Sequence, residues 1–159
     1  MSDIHNWTFR HYGAATFDPQ HVYTHQGQAN LTKPAFGLWA SPIGEEFGTW
    51  REWCIGEQWG CASNPACPFF DFTLSPDANI AVVLEKRDLD HYPFWESGPL
   101  ISRFLADAYL ASGFDGIYCK ILGHDPDVSL YLPLYAWDCD SIVVTNLDVV
   151  CPVEALVTA

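Results

Sequence analysis

The chain has 159 residues, of which 49% are hydrophobic and seven are Trp, enough for a single domain that buries a core without staples. Twenty Asp and Glu against seven Lys and Arg give a formal net charge of −13, which repels a phosphate backbone and disfavours sequence-general nucleic-acid binding. No uninterrupted apolar run of about 18 residues occurs, and Met1-Ser2-Asp3-Ile4-His5 is neither basic nor apolar, so the expectation is a cytoplasmic protein with no membrane part.

Trp7-Thr8-Phe9-Arg10-His11-Tyr12 alternates as a strand, with Trp7, Phe9 and His11 on one face, and Gly13 ends it. Residues 17–34 are polar, carry His21 and His25 and hold no period; they read as a long surface loop, a common place for function. Gly37-Leu38-Trp39-Ala40-Ser41-Pro42 is a second strand closed by proline. Thr49-Trp50-Arg51-Glu52 has the form of a capping box, predicting a helix after Thr49. That helix carries Trp50, Trp53 and Cys54 on one side, a stripe that reads as core.

None of the cysteines (Cys54, Cys61, Cys67, Cys119, Cys139, Cys151) forms a C-x-x-C pair, which argues against a zinc ribbon or a thioredoxin-like site. Cys61 and Cys67 are spaced either to close a small loop or to join Cys54 and a histidine around a metal. In a reducing cytoplasm the default is buried free thiols, and the expectation is no metal site.

Residues 69–74 and 79–85 read as strands around the turn Ser75-Pro76-Asp77-Ala78, a hairpin by their short separation. Pro99 and Gly113 bracket a predicted helix in which Leu100, Phe104 and Ala108 recur at helical spacing. A strand follows over 114–122, then a loop over 123–127, and a last strand over 135–146. On that strand Asp138 and Asp140 would share a face with Ile142 and Val144, about 6.5–7 Å apart along the chain. Such a strand starts in a polar cleft and ends in a core. The plainer alternative is an acidic turn capping backbone N–H groups. Strands outnumber helices without regular alternation, which predicts an α+β domain.

In order along the chain, His11-Tyr12-Gly13, Gly37-Leu38-Trp39-Ala40-Ser41 and Asp138-Cys139-Asp140-Ser141-Ile142-Val143-Val144 resemble the small ADP-ribosyltransferase family. Gly113-Phe114-Asp115-Gly116-Ile117 and the ending Asn146-Leu147-Asp148 resemble further stretches of it, so the resemblance spans residues 7–150. It implies one α+β domain over 1–159: two packed mixed or antiparallel sheets in a split sandwich with a few flanking helices. It implies NAD as substrate, with His11, Tyr12, Gly13 and Ser41 around the ribose and nicotinamide and with Trp39 and Trp50 as stacking faces. Asp140 would be the catalytic acid and Asp138 its partner, with no metal. The implied activity is ADP-ribosyl transfer or NAD glycohydrolysis, with a macromolecular acceptor, a protein in the first instance.

Breaking the nicotinamide glycosidic bond develops positive charge on the ribose, which a nearby carboxylate stabilises. This chain carries Asp where the family usually has Glu, one methylene shorter, and a misplacement of about 1 Å costs on the order of 10²-fold in rate. It also lacks a glycine-rich phosphate cradle. A reading from a different class is a small acidic interaction module, an inhibitor or adaptor that masks a basic surface. The enzyme reading predicts a concave aromatic pocket, whereas the module predicts a convex acidic face.

Overall fold

The computed structural model describes residues 3–23, 32–44, 47–121, 130, 133–134 and 137–154. Its elements in chain order are β1 (Phe9–Tyr12), β2 (Leu38–Pro42), α1 (Trp50–Glu57), β3 (Phe69–Leu74), β4 (Ile80–Val83), β5 (Trp95–Glu96), β6 (Arg103–Phe104), α2 (Ala106–Ser112), β7 (Gly116–Cys119), β8 (Ser141–Val144) and β9 (Val150–Pro152). Seven strands form one mixed sheet in the order β4-β7-β8-β2-β1-β3-β9, and β5 and β6 form a small ribbon. The α+β class expected from the sequence is what the chain adopts. Its large sheet, however, is continuous, because β2 belongs to both halves. Leu38, Trp39 and Ala40 pair with Val144, Val143 and Ile142 of β8, while Ser41 and Pro42 pair with Arg10 and Phe9 of β1.

Alternation along the strands sends side chains to two cores. Phe9, Leu38, Ala40, Phe70, Phe72, Tyr118, Ile142 and Val144 share one of them. Ala81, Val83, Ile117, Cys119 and Val143 face the other way, against Phe94, Tyr109 and Trp137. Strands β7 and β8 are therefore buried on both faces, which is why Gly116-Ile117-Tyr118-Cys119 and Ser141-Ile142-Val143-Val144 read as unbroken apolar runs. Asp115 locks this region from outside the core. Its carboxylate accepts from the Asn79 N–H at 2.8 Å and from Asn146 Nδ2 at 2.8 Å, and its carbonyl accepts from the Thr145 N–H at 2.9 Å.

Three expectations need correction. The 75–78 turn forms, with the Ala78 N–H donating to the Ser75 carbonyl at 3.0 Å, but β3 and β4 do not pair. Asp115 seats the start of β4 beside β7 in parallel, while β3 takes β1 and β9 as antiparallel neighbours. The helix predicted between Pro99 and Gly113 is only Ala106–Ser112. Phe104 lies instead in the ribbon opposite Trp95, where its ring packs on Phe94 and Tyr109. Of the strand expected over 135–146, residues 135–136 lie outside the described residues, and among the described ones it begins only at Ser141.

The capping box at Thr49 is present as expected: Thr49 Oγ1 accepts from the Glu52 N–H at 3.3 Å and a Glu52 carboxylate oxygen accepts from the Thr49 N–H at 3.1 Å. Of the cysteines, Cys61 and Cys67 form a disulfide that closes the small loop after α1. Their sulfurs are thereby committed to each other and not to a metal. Cys54, Cys119 and Cys139 are buried free thiols and Cys151 is an exposed one. No helix among the described residues is long and apolar enough to cross a membrane.

Thiol titration under denaturing, non-reducing conditions is expected to find four free thiols, rising to six after reduction. Gly116 sets how closely β7 approaches β8, since a Cβ there would sit 2.7 Å from the Val143 carbonyl oxygen and 3.2 Å from Val144 Cα, both backbone. Gly116→Ala is therefore expected to destabilise the fold by about 2 kcal/mol, read as a lowered denaturant midpoint at unchanged slope.

Candidate functional site

Beyond the Arg10 and Ser41 pair, β1 and β2 no longer follow one ladder. A backbone carbonyl left without a donor there would cost about 1–3 kcal/mol. The His11 ring supplies one: its Nδ1–H donates to the Trp39 carbonyl at 2.7 Å. A carbonyl only accepts, so this bond fixes the proton on Nδ1 and leaves Nε2 as the acceptor of the neutral ring. The ring packs against Phe70 and meets the edge of Tyr23. Burial holds the His11 pKa below the ordinary histidine value, outweighing the Trp39 carbonyl, so the imidazole is neutral at pH 7.

The opening beside this bridge is a cavity of about 300 Å³. Its wall includes His11 and Tyr12 from β1, Trp39 and Ser41 from β2, Trp50 from the start of α1, and Asp138 from the approach to β8. Six of the residues singled out in the sequence thus come together from separate segments. Ser41 is buried and braces the wall: its Oγ accepts from the Trp50 N–H at 2.8 Å, which satisfies an open donor at the helix start and fixes α1 against β2. Trp50 stacks on Trp53 at 5.0 Å, and Trp59, 57% exposed, meets both rings edge-on. These rings form a half-exposed cluster in which Trp50 and Trp59 face the cavity; of the stripe read as core, Cys54 is fully buried, Trp53 is half-buried and Trp50 lines the pocket.

Gly13 and Asp140 lie outside the cavity wall. Gly13 is exposed with φ +113°, and its N–H donates to the Pro68 carbonyl at 2.8 Å, so it turns the chain after β1. Asp140 is fully buried. One carboxylate oxygen accepts from the Ile121 N–H at 2.8 Å and the other from the Gly48 N–H at 3.1 Å, while its own N–H donates to the Gly48 carbonyl at 2.9 Å. Both oxygens are occupied in tying the end of β7 to the loop before α1. The two acids precede β8 in irregular chain, so the two-residue alternation that would have put them on one face does not apply. Asp138 meets the cavity and Asp140 braces it.

Sequence reasoning missed Arg10, Tyr23, Lys33, Trp59, Trp137 and Cys139 among the wall residues. Arg10 makes a two-pronged pair with Asp71 across β1 and β3, at 2.7 and 3.0 Å. Trp137 is buried, meets Trp39 edge-on at 4.8 Å and donates from Nε1 to the Thr32 carbonyl at 3.0 Å. Lys33 lies in a stretch without period, and its one signal was the scarcity of cations in so acidic a chain. Cys139 is no nucleophile at neutral pH, because burial pushes its thiol up to about 12. Burial raises the Asp138 pKa, only partly offset by the Lys33 ammonium, with Glu57 adding repulsion. Among the described residues no group of three or more His, Cys, Asp and Glu is placed to hold a metal.

Compared with protein-family models, curated proteins and solved structures, the chain finds no match in any of the three.

The two acids are expected to separate in stability measurements. Asp140→Asn turns an amide NH₂ toward one of two backbone donors and should cost about 2 kcal/mol or more. Asp138→Asn should cost little. Because folding raises the Asp138 pKa, its stabilising contribution is fully present below the unfolded value near about pH 4 and is lost as pH rises through the folded one. Wild type should therefore lose stability relative to Asp138→Asn as pH rises from about 4 to 7, read by denaturation of both proteins across that range.

Proposed function

We propose that the cavity binds the nicotinamide ribose end of NAD and that the chain cleaves the glycosidic bond, passing ADP-ribose to water or to an acceptor. The observation that carries this is the convergence of His11, Trp39, Ser41, Trp50 and Asp138, from distant parts of the chain, on one concave aromatic-walled pocket. Pockets of roughly this volume suit a small planar ligand held by a few placed polar groups. The sheet that changes partner along β2, with its opening between β1 and β2, supports reading the architecture as a split sandwich of the ADP-ribosyltransferase type. A purely acidic interaction module has no need of such a cavity.

In this reading Asp138, not Asp140, is the catalytic acid. As the bond breaks, its electron pair leaves with the nicotinamide, neutralising the pyridinium, and positive charge develops at the ribose. The Asp138 carboxylate stabilises that charge. The incoming nucleophile adds at the same carbon, and its proton passes to Asp138 or to solvent. The raised pKa of Asp138 suits it to take that proton. His11 offers Nε2 to a ribose hydroxyl, since Nδ1 is committed to the Trp39 carbonyl. The Trp39 and Trp50 rings provide faces for the nicotinamide.

Nicotinamide release from NAD is the decisive assay. Asp138→Asn is expected to lower it by about 10²-fold or more with NAD binding little changed. His11→Ala should act mainly on binding. If wild type neither releases nicotinamide nor binds NAD, the acidic-module reading replaces this one.

A further inference from the structure

Lys33 is one of only seven Lys and Arg in a chain with twenty Asp and Glu, yet it is half-buried in the aromatic pocket. Its Nζ lies over the Trp39 ring, 5.4 Å from the centroid, within cation–π range. The placement is anchored one residue earlier. Thr32 is fully buried, and its carbonyl accepts from Trp137 Nε1 at 3.0 Å. That bond joins the residues just before Lys33 and Asp138, so the ammonium and the carboxylate are brought to the same cavity from two chain segments.

An aromatic face with a carboxylate beside it is the chemistry of a seat for an organic cation. We propose that Lys33 occupies this seat when the pocket is empty, and that the ligand is a planar aromatic cation of the pyridinium class, which displaces the Lys33 ammonium into solvent. The inference rests on the nucleotide reading above and deepens it: the seat opposite Asp138 prefers the charged, oxidised nicotinamide ring over the neutral, reduced one, and Lys33 is the internal cation that competes with that ring for it.

The hydration of the two cations gives the direction. An ammonium is compact and strongly hydrated, and its burial here is unfavourable, as the lowering of the Lys33 pKa by desolvation against the pull of Asp138 attests. A pyridinium spreads its charge over a flat ring, loses less hydration on entry and offers a face to Trp39. Exchange returns the ammonium to water and keeps the charge opposite Asp138. A neutral ring taking the seat would send the ammonium to water and leave Asp138 without a counter-charge.

The test compares nicotinamide methylated on its ring nitrogen, a fixed cation, with neutral nicotinamide. Lys33→Met removes the internal occupant, so the methylated ring should bind about tenfold tighter than to wild type while neutral nicotinamide changes by less than about twofold. Lys33→Arg places a flatter, more weakly hydrated cation in the seat, so the methylated ring should bind no tighter than to wild type. Equal or weaker binding of the cation by Lys33→Met overturns the inference. On the unmodified protein, saturating methylated ring should raise the acetylation rate of Lys33 several-fold by peptide mass spectrometry, and protection of Lys33 would overturn it equally. Nicotinamide release by wild type with no gain in Lys33→Met leaves the function standing and sinks the seat. A gain in Lys33→Met without any cleavage of NAD does the reverse. Failure of both proteins to bind the methylated ring at millimolar concentration overturns the seat, while nicotinamide release from NAD decides the function separately.

Discussion

Between Ala40 and Ser41, β2 exchanges its partner β8 for β1, and that change of pairing creates the cavity. A strand paired fully on both edges would leave no opening. Where the β1 ladder ends, the Trp39 carbonyl is met by the His11 imidazole, so the same bond satisfies the backbone and sets the tautomer that lines the pocket. Gly37 lets the strand enter this arrangement: its φ is +135°, and a Cβ there would fall 2.5 Å from Val143 Cγ2.

Around that opening, residues in the wall and behind it are held by bonds that do not involve a ligand. Ser41 fixes the start of α1, Asp140 ties the loop before α1 to the end of β7, and Trp137 pins Thr32. These bonds keep Asp138 and Lys33 on the cavity while burying their neighbours Cys139, Asp140 and Thr32. Such a division, with buried polar groups bracing and half-buried charges facing inward, is what a preorganised site requires. It also assigns the acids by environment: a carboxylate already accepting two backbone N–H bonds inside the core has little left to offer a substrate.

Much of the local structure was legible in the residues themselves. The Thr49 capping box, the proline-closed β2, the glycine ending β1 and the apolar runs of β7 and β8 are set by short-range sterics, propensity and burial, which the sequence carries directly. His11, Trp39, Ser41 and Trp50 were singled out through the family resemblance, and the fold brings them to one cavity. Less legible were the Phe104 segment, where packing on Phe94 overrode helical spacing, and the strands β3 and β4, where pairing in separate halves overrode proximity in the chain.

What the sequence determined by itself was the α+β class and the positions of most strands. The tertiary structure decided which carboxylate reaches the cavity. Asp138 and Asp140 differ by two residues and look alike in any pattern. Their roles part because β8 begins only at Ser141, and because the Gly48 and Ile121 N–H groups, distant in sequence, converge on Asp140 alone. Lys33 was settled in the same way, by contacts between segments whose meeting no local propensity encodes, whereas the Cys61–Cys67 bond closes a loop that the spacing had offered as one of two readings.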